Sequence, residues 1–141
     1  MILRIARSPE DRAASFALRL SIFVEEQGVP ESLERDSLDD LATHFLALDE
    51  SGLVGTARLI PQREGVVKAG RVAVRADRRG EGIGDKLMCF AEDWAKSEGF
   101  SEILLHAQEP VVGFYLKLGY VAIGERFHEA EIHHFKMKKL L

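Results

Sequence analysis

The segment Arg78-Arg79-Gly80-Glu81-Gly82-Ile83-Gly84 constrains this chain more than any other, because it joins an apolar strand, Arg71-Val72-Ala73-Val74, to an amphipathic helix. Glycine lets a backbone turn tightly with several N–H groups aimed inward, and the helix that follows adds a positive partial charge at its first turn. Such a turn can cradle a diphosphate. Arg78 and Arg79 offer charge-assisted contacts, whereas Glu81 opposes an anion unless its side chain points outward. As a bare string the glycines fit a generic turn equally well. No Gly-Lys-Ser or Gly-Lys-Thr follows, which excludes a Walker loop, and the Gly-x-Gly-x-x-Gly dinucleotide fingerprint is incomplete.

The flanks carry the argument further. Ile83, Leu87, Phe90, Ala91, Trp94 and Ala95 share one helical face, and Gly99 ends the helix in a C-cap role. Glu102-Ile103-Leu104-Leu105-His106 then reads as a buried strand, so the unit is strand, helix, strand, with a parallel pair and a right-handed crossover. Upstream, Ile2–Arg7 alternates like a short strand. Ser8-Pro9-Glu10-Asp11 starts a helix whose apolar stripe is Ala13, Phe16, Ala17, Leu20, Phe23 and Val24, broken at Gln27-Gly28-Val29-Pro30.

The acidic stretch Glu31–Leu41 predicts a short helix near Asp36 or Ser37. Thr43–Leu48 and Leu53–Ile60 form a hairpin across Asp49–Gly52, a turn at Pro61–Gly65 follows, and Val66–Val74 holds the next strand. Past the central unit come a helix, Pro110–Leu118, and a closing hairpin of about Tyr120–Arg126 and Ile132–Lys139. The order β-α-β-β-β-α-β-α-β-β predicts an α/β fold with a central mixed sheet of about six to seven strands flanked by helices.

At 141 residues, 46% hydrophobic and 30% charged, the chain is expected to be one domain over residues 1–141. A net charge of −4 supplies no field for a phosphate backbone, so no nucleic-acid partner is expected. The lone Cys89 has no internal disulfide partner, the first residues lack a signal-peptide core, and no apolar run is long enough to span a bilayer; the expected setting is cytoplasmic. His128, His133 and His134 show no compact ligand spacing with Cys89, so no metal is expected.

Two motifs together resemble a known family. Arg79-x-x-Gly82-x-Gly84 is similar to the Gln/Arg-x-x-Gly-x-Gly/Ala signature of the GNAT N-acetyltransferases, and Arg71–Val74 looks like that family's fourth strand. Phe114-Tyr115-Leu116-Lys117-Leu118-Gly119-Tyr120 resembles its Phe/Leu-Tyr-x-Lys-x-Gly-Phe segment. Arg19–Pro30, His44 and Ile132–Met137 resemble the ElaA-like branch, whose acceptors are poorly defined.

The resemblance implies transfer of an acetyl group from acetyl-CoA to the primary amine of a small molecule or peptide. It implies that Val72, Ala73 and Val74 guide the pantetheine arm, and that Arg79, Gly80, Gly82, Ile83 and Gly84 hold the pyrophosphate. It also implies that Tyr115 protonates the departing thiolate, although either Tyr115 or Tyr120 could instead be a core tyrosine. For the base, Glu25, Glu26, His44, His106 or a bound water are open, with Glu26 and His106 ranked first. The acids Asp36, Asp39 and Asp40 are either an attractor for a cationic amine or a solvated patch. A catalytically silent acyl-CoA sensor and a binder of another nucleotide use the same residues, and the chain is also compatible with a homodimer.

Overall fold

Seven strands form one sheet in the order β1-β2-β3-β4-β5-β7-β6 in the computed structural model, which describes all 141 residues. The strands are β1 (Ile2–Ile5), β2 (Thr43–Asp49), β3 (Gly52–Arg63), β4 (Val66–Val74), β5 (Glu102–Gln108), β6 (Val121–Glu129) and β7 (Ile132–Leu140). All neighbours are antiparallel except β4 and β5. The crossover between those two runs through α3 (Ile83–Ser97), whose face of Ile83, Leu87, Ala91 and Ala95 is buried against Phe45, Ala57, Leu59, Val67 and Ile103. The mixed sheet and the order of elements agree with the periodicities of the sequence. Several boundaries differ: β3 runs through Pro61 to Arg63, so the turn before β4 shrinks to Glu64-Gly65, the helix expected from Pro110 begins at Val112 after a 3-10 turn, and β6 continues past Arg126 to Glu129.

The opposite face is covered by the N-terminal helices. The Ser8 hydroxyl accepts from the Asp11 N–H at 3.1 Å and starts α1 (Pro9–Arg19). From Leu20 to Glu26 the chain widens into a π-helix, with the Gln27 N–H donating to the Ile22 carbonyl. The expected apolar stripe is rotated here. Ala13 and Ala17 are exposed, whereas Ser15, Leu18, Arg19, Ile22 and Phe23 are buried. Ser15 faces inward because its hydroxyl meets Thr56 Oγ1 at 2.7 Å, and Arg19 because two acids await it.

Those acids, Glu34 and Asp39, come from the acidic stretch Glu31–Leu41. A single turn, α2 (Glu31–Glu34), precedes a 3-10 turn, Ser37–Asp40, which begins where expected with Asp36 as its cap. Asp36 and Asp39 are not a free acidic patch. Buried Arg19 donates to Glu34 and Asp39, and buried Arg58 donates to Asp36 and Asp39, at 2.8 Å in each of the four shortest contacts. Arg71 on β4 completes the group by donating to the carbonyls of Glu34 and Leu33. Sequence periodicity cannot find this network, since it assigns arginine to solvent.

The guanidinium groups hold the Asp39 carboxyl down, from an ordinary 3.8 to about 2, against the cost of its burial. Its contribution to stability is therefore complete above the ordinary value and is lost as pH falls toward about 2. Arg19→Met should lower the unfolding free energy by roughly 3–5 kcal/mol, because Glu34 and Asp39 lose their buried partner. Urea titration of both proteins at neutral pH and near pH 3 checks this, with the gap expected to narrow in acid.

Candidate active site

A cleft opens at the centre of the sheet because β4 and β5 part company. Their parallel pairing covers only Val66–Ala69 with Glu102–Leu105, while β4 stays paired with β3 as far as Val74. A bulge lies just beyond the last parallel pair. Thr56 opposes Ala73 and Arg58 opposes Gly70, so β4 carries an extra residue there, and Arg71 adopts a φ of +51°. The strand bends, and the β5-facing edge of Gly70–Val74 is left without strand partners. Val72 and Val74 pack on the main core, whereas Ala73 turns to Leu18, Ile22 and Phe23.

The glycine segment closes the outer end of this cleft. Gly80 and Gly82 have φ of +81° and +78°, and an added Cβ at either would project into open space. Gly82 is the N-cap of α3 and brings no side-chain acceptor, so the first N–H groups of a fifteen-residue helix remain available. The Ile83 side chain is buried in the core, which leaves only its backbone N–H at the turn. Gly84 is a packing glycine: a Cβ there would lie 3.1 Å from the Phe114 ring. Gly55 on β3 has a similar duty toward Ile83, at 3.1 Å, and escaped the sequence reading because an isolated glycine in a strand carries no distinctive signal.

The two arginines divide. Arg78 is tied to Glu81 and Asp49, which turns Glu81 away from the glycine turn and anchors the loop to the β2–β3 hairpin. Arg79 donates to both carboxylate oxygens of Glu26, at 2.5 and 2.8 Å, and is half-exposed. The hydrogen bonds from Arg79 hold the Glu26 carboxyl below its usual range, which makes it a poor proton acceptor.

The two tyrosines also separate. Tyr120 is buried, and its hydroxyl donates to Glu92 at 2.8 Å, the carboxylate that also receives Lys139. Tyr115, on α4 (Val112–Lys117), packs edge-on against Phe114 and Tyr120, yet its hydroxyl makes no hydrogen bond within the protein. Burial pushes its phenol well above the ordinary tyrosine value, so it keeps its proton. Of the pair, Tyr120 has the structural partner and Tyr115 has a donor to give.

His106 lies on β5, one residue past the last parallel pair, and its Nδ1 meets Glu129 Oε1 at 3.1 Å. Its ring abuts Phe127 edge-on, and Phe127 stacks on His134. The hydrogen bond to His106 lowers the Glu129 carboxyl despite its partial burial. Glu129 was not among the residues singled out from sequence, because only the register of β5, β7 and β6 brings it to His106. His44 belongs elsewhere: it is buried beside α1, with Nε2 at 3.0 Å from the Asp39 carbonyl, and burial lowers its pKa. Glu25 is exposed and without a side-chain partner.

A split parallel pair with a glycine turn and an uncapped helix at its mouth can take an extended ligand that ends in an anion. Residues 8–141 match the family model described as Acetyltransferase (GNAT) domain. The chain is 35% identical over 136 residues to the Bacillus subtilis protein called uncharacterized N-acetyltransferase YjcF, covering 96% of each. A crystal structure from Lactobacillus plantarum, of a candidate N-acetyltransferase, superposes with a TM-score of 0.93 at 33% identity, covering 99% of this chain and 97% of that one. Escherichia coli ElaA gives a TM-score of 0.85 at 26% identity, covering 98% and 99%. The chain belongs to the GNAT family of acetyltransferases. It is an acyltransferase that uses a CoA-derived co-substrate and an acceptor.

The separate partners of the two tyrosines give different expectations for stability. Tyr120→Phe should cost about 1–3 kcal/mol, since Glu92 loses a buried donor, whereas Tyr115→Phe should be nearly neutral. Parallel denaturant titrations of the two variants check the contrast.

Proposed function

We propose that residues 1–141 form one catalytic domain that transfers acetyl from acetyl-CoA to a primary amine by direct attack. The observation that carries this is the unpaired β4 edge running from the closed end of the cleft to the glycine turn. In this reading Val72, Ala73 and Val74 present backbone groups to the pantetheine arm. Gly80, Gly82 and the first N–H groups of α3, at Ile83 and Gly84, receive the pyrophosphate, with Arg79 leaving Glu26 to add a charge-assisted contact. The cofactor arrives with its own anion, so the exchange of Glu26 for phosphate conserves the pairing of Arg79.

The amine nitrogen forms a bond to the thioester carbon, the C–S bond breaks, and Tyr115 gives its proton to the leaving sulfur. The amine's surplus proton goes to a base. Of the two leading candidates, the geometry favours His106 over Glu26. Nδ1–H of His106 donates to Glu129, which leaves Nε2 free to accept and stabilises the imidazolium that forms. Glu26 is occupied by Arg79 and serves better as that side chain's resting partner. Holding amine and thioester together supplies much of the acceleration. The setting we propose is the cytoplasm; no helix is long and apolar enough to cross a membrane.

The second reading, a silent acyl-CoA sensor, needs the cleft but not the free Tyr115 hydroxyl. A thiol-release assay with acetyl-CoA and a panel of amines decides between them, and release with none of the amines would sink the enzyme reading. Gly82→Asp should nearly abolish thermal stabilisation by CoA, because it sets a side chain and a negative charge where phosphates approach the turn. Arg79→Gln should weaken CoA binding more than Arg63→Gln, as Arg63 lies outside the cleft. Tyr115→Phe should lower kcat about 10- to 1000-fold with little change in cofactor affinity. Calorimetry and steady-state rates on one preparation separate the two effects.

A further inference from the structure

The two faces of the split between β4 and β5 differ. Its core face is packed by α3, α4 and the main cluster of buried side chains, which leaves the face shared with α1 for an acceptor. There the floor is made by alternate residues of β4, β5 and β7. Lys68 is level with Leu104, His106 is the next inward position of β5 on that face, and His106 in turn opposes Lys136. One wall is the end of the π-helix, where Gln27 accepts from Gln108 at 2.7 Å, and the other is the β6–β7 hairpin with Phe127 and Glu129.

Lys68 stands at the closed end of this cleft, one residue before the last parallel pair, and is half-buried. It makes neither a hydrogen bond nor an ion pair with any protein group. The carboxylates whose fields reach it are already held: Glu129 by His106, and Asp36 by Arg58. The other charges near it, Arg58 and Arg71, are positive, and burial with this repulsion lowers its pKa. A partly buried ammonium that lacks a partner is costly unless a ligand provides one. Of the other cations on this face, Arg58 and Arg71 have their own acids, and Lys136 on β7 stands exposed in solvent, where an ammonium needs no partner.

We propose that Lys68 is the seat for a carboxylate carried by the acceptor, which makes the acceptor a compact molecule bearing both an amine and a carboxylate, of the amino-acid or short-peptide class. The strand spacing and rise put the Cα atoms of Lys68 and His106 about 8 Å apart, a span that two inward side chains bridge to a molecule of this size. The carboxylate at Lys68 sets the distance, and the amine is then directed to His106, beside the unpaired β4 edge. This rests on the acetyl-transfer reading above for the role of His106, whereas the seat at Lys68 is tested without turnover.

The test is equilibrium binding to the enzyme saturated with CoA. The probes are the common amino acids and a set of dipeptides, each as the free carboxylate and as its C-terminal amide. Calorimetry on the wild type should show at least one matched pair in which the carboxylate binds about 10- to 100-fold more tightly than the amide. In Lys68→Gln the difference should collapse, with the amide's affinity unchanged, and Lys68→Arg should restore most of it. Equal binding of acids and amides, absence of binding by any probe, or an undiminished preference in Lys68→Gln would overturn the proposal. Acetylation of the amides as efficiently as of the acids would also overturn it while leaving the acyltransferase reading intact. Failure of thiol release with every amine would sink the transfer reading, and the binding comparison would still decide the seat.

Discussion

The cleft depends on a mismatch in how β4 is paired on its two sides. Antiparallel bonding to β3 continues to Val74, but parallel bonding to β5 stops at Ala69. A strand with one edge satisfied and the other free is unstable against closure or aggregation unless something holds it bent. The bulge at Arg71 does this, since an extra residue on one strand increases local twist and re-aims the chain. Without it β4 would continue alongside β5, and the free edge, the glycine turn and the proposed acceptor floor would be lost together.

The bulge itself is held from outside the sheet. Arg71 has a positive φ, which is unfavourable for a residue with a side chain. Its guanidinium reaches the carbonyls of Leu33 and Glu34 and pairs with Glu34 and Asp36. Arg19 and Arg58 draw the same acids down onto α1 and β3. The buried ion network therefore joins the first helix, the two short turns after it and the bent strand into one unit. Such a network is weak support for stability as such, because burial of each charge opposes the pairing. Its effect is positional: it fixes where the N-terminal wall of the cleft stands relative to β4.

The Arg79–Glu26 pair links that wall to the glycine turn. It bridges the end of the π-helix and the loop before α3, across the entrance proposed for the CoA pyrophosphate. A helix that bonds five residues back places Glu26 and Gln27 at the cleft rim, where a continuing α-helix would have rotated them elsewhere. Gln27 meets Gln108 from β5 at the same rim. The proposed cofactor entrance and the proposed acceptor wall thus share one short segment.

Local sequence determined the elements. The glycine turn, the amphipathic α3, the apolar β5 and the Ser8 cap are set by backbone freedom and by periodicity, which act over a few residues, whereas the Tyr115 segment was legible through its resemblance to the family's motif. The inward face of α1 was not, because Ser15 and Arg19 are buried by partners more than 14 residues away that periodicity does not see. Nor could the sequence separate Tyr115 from Tyr120, pair His106 with Glu129, tie Glu26 to Arg79 or leave Lys68 without an acid. Those outcomes depend on strand register and on which charges meet across the sheet, and only the tertiary structure brings such distant residues within reach of one another.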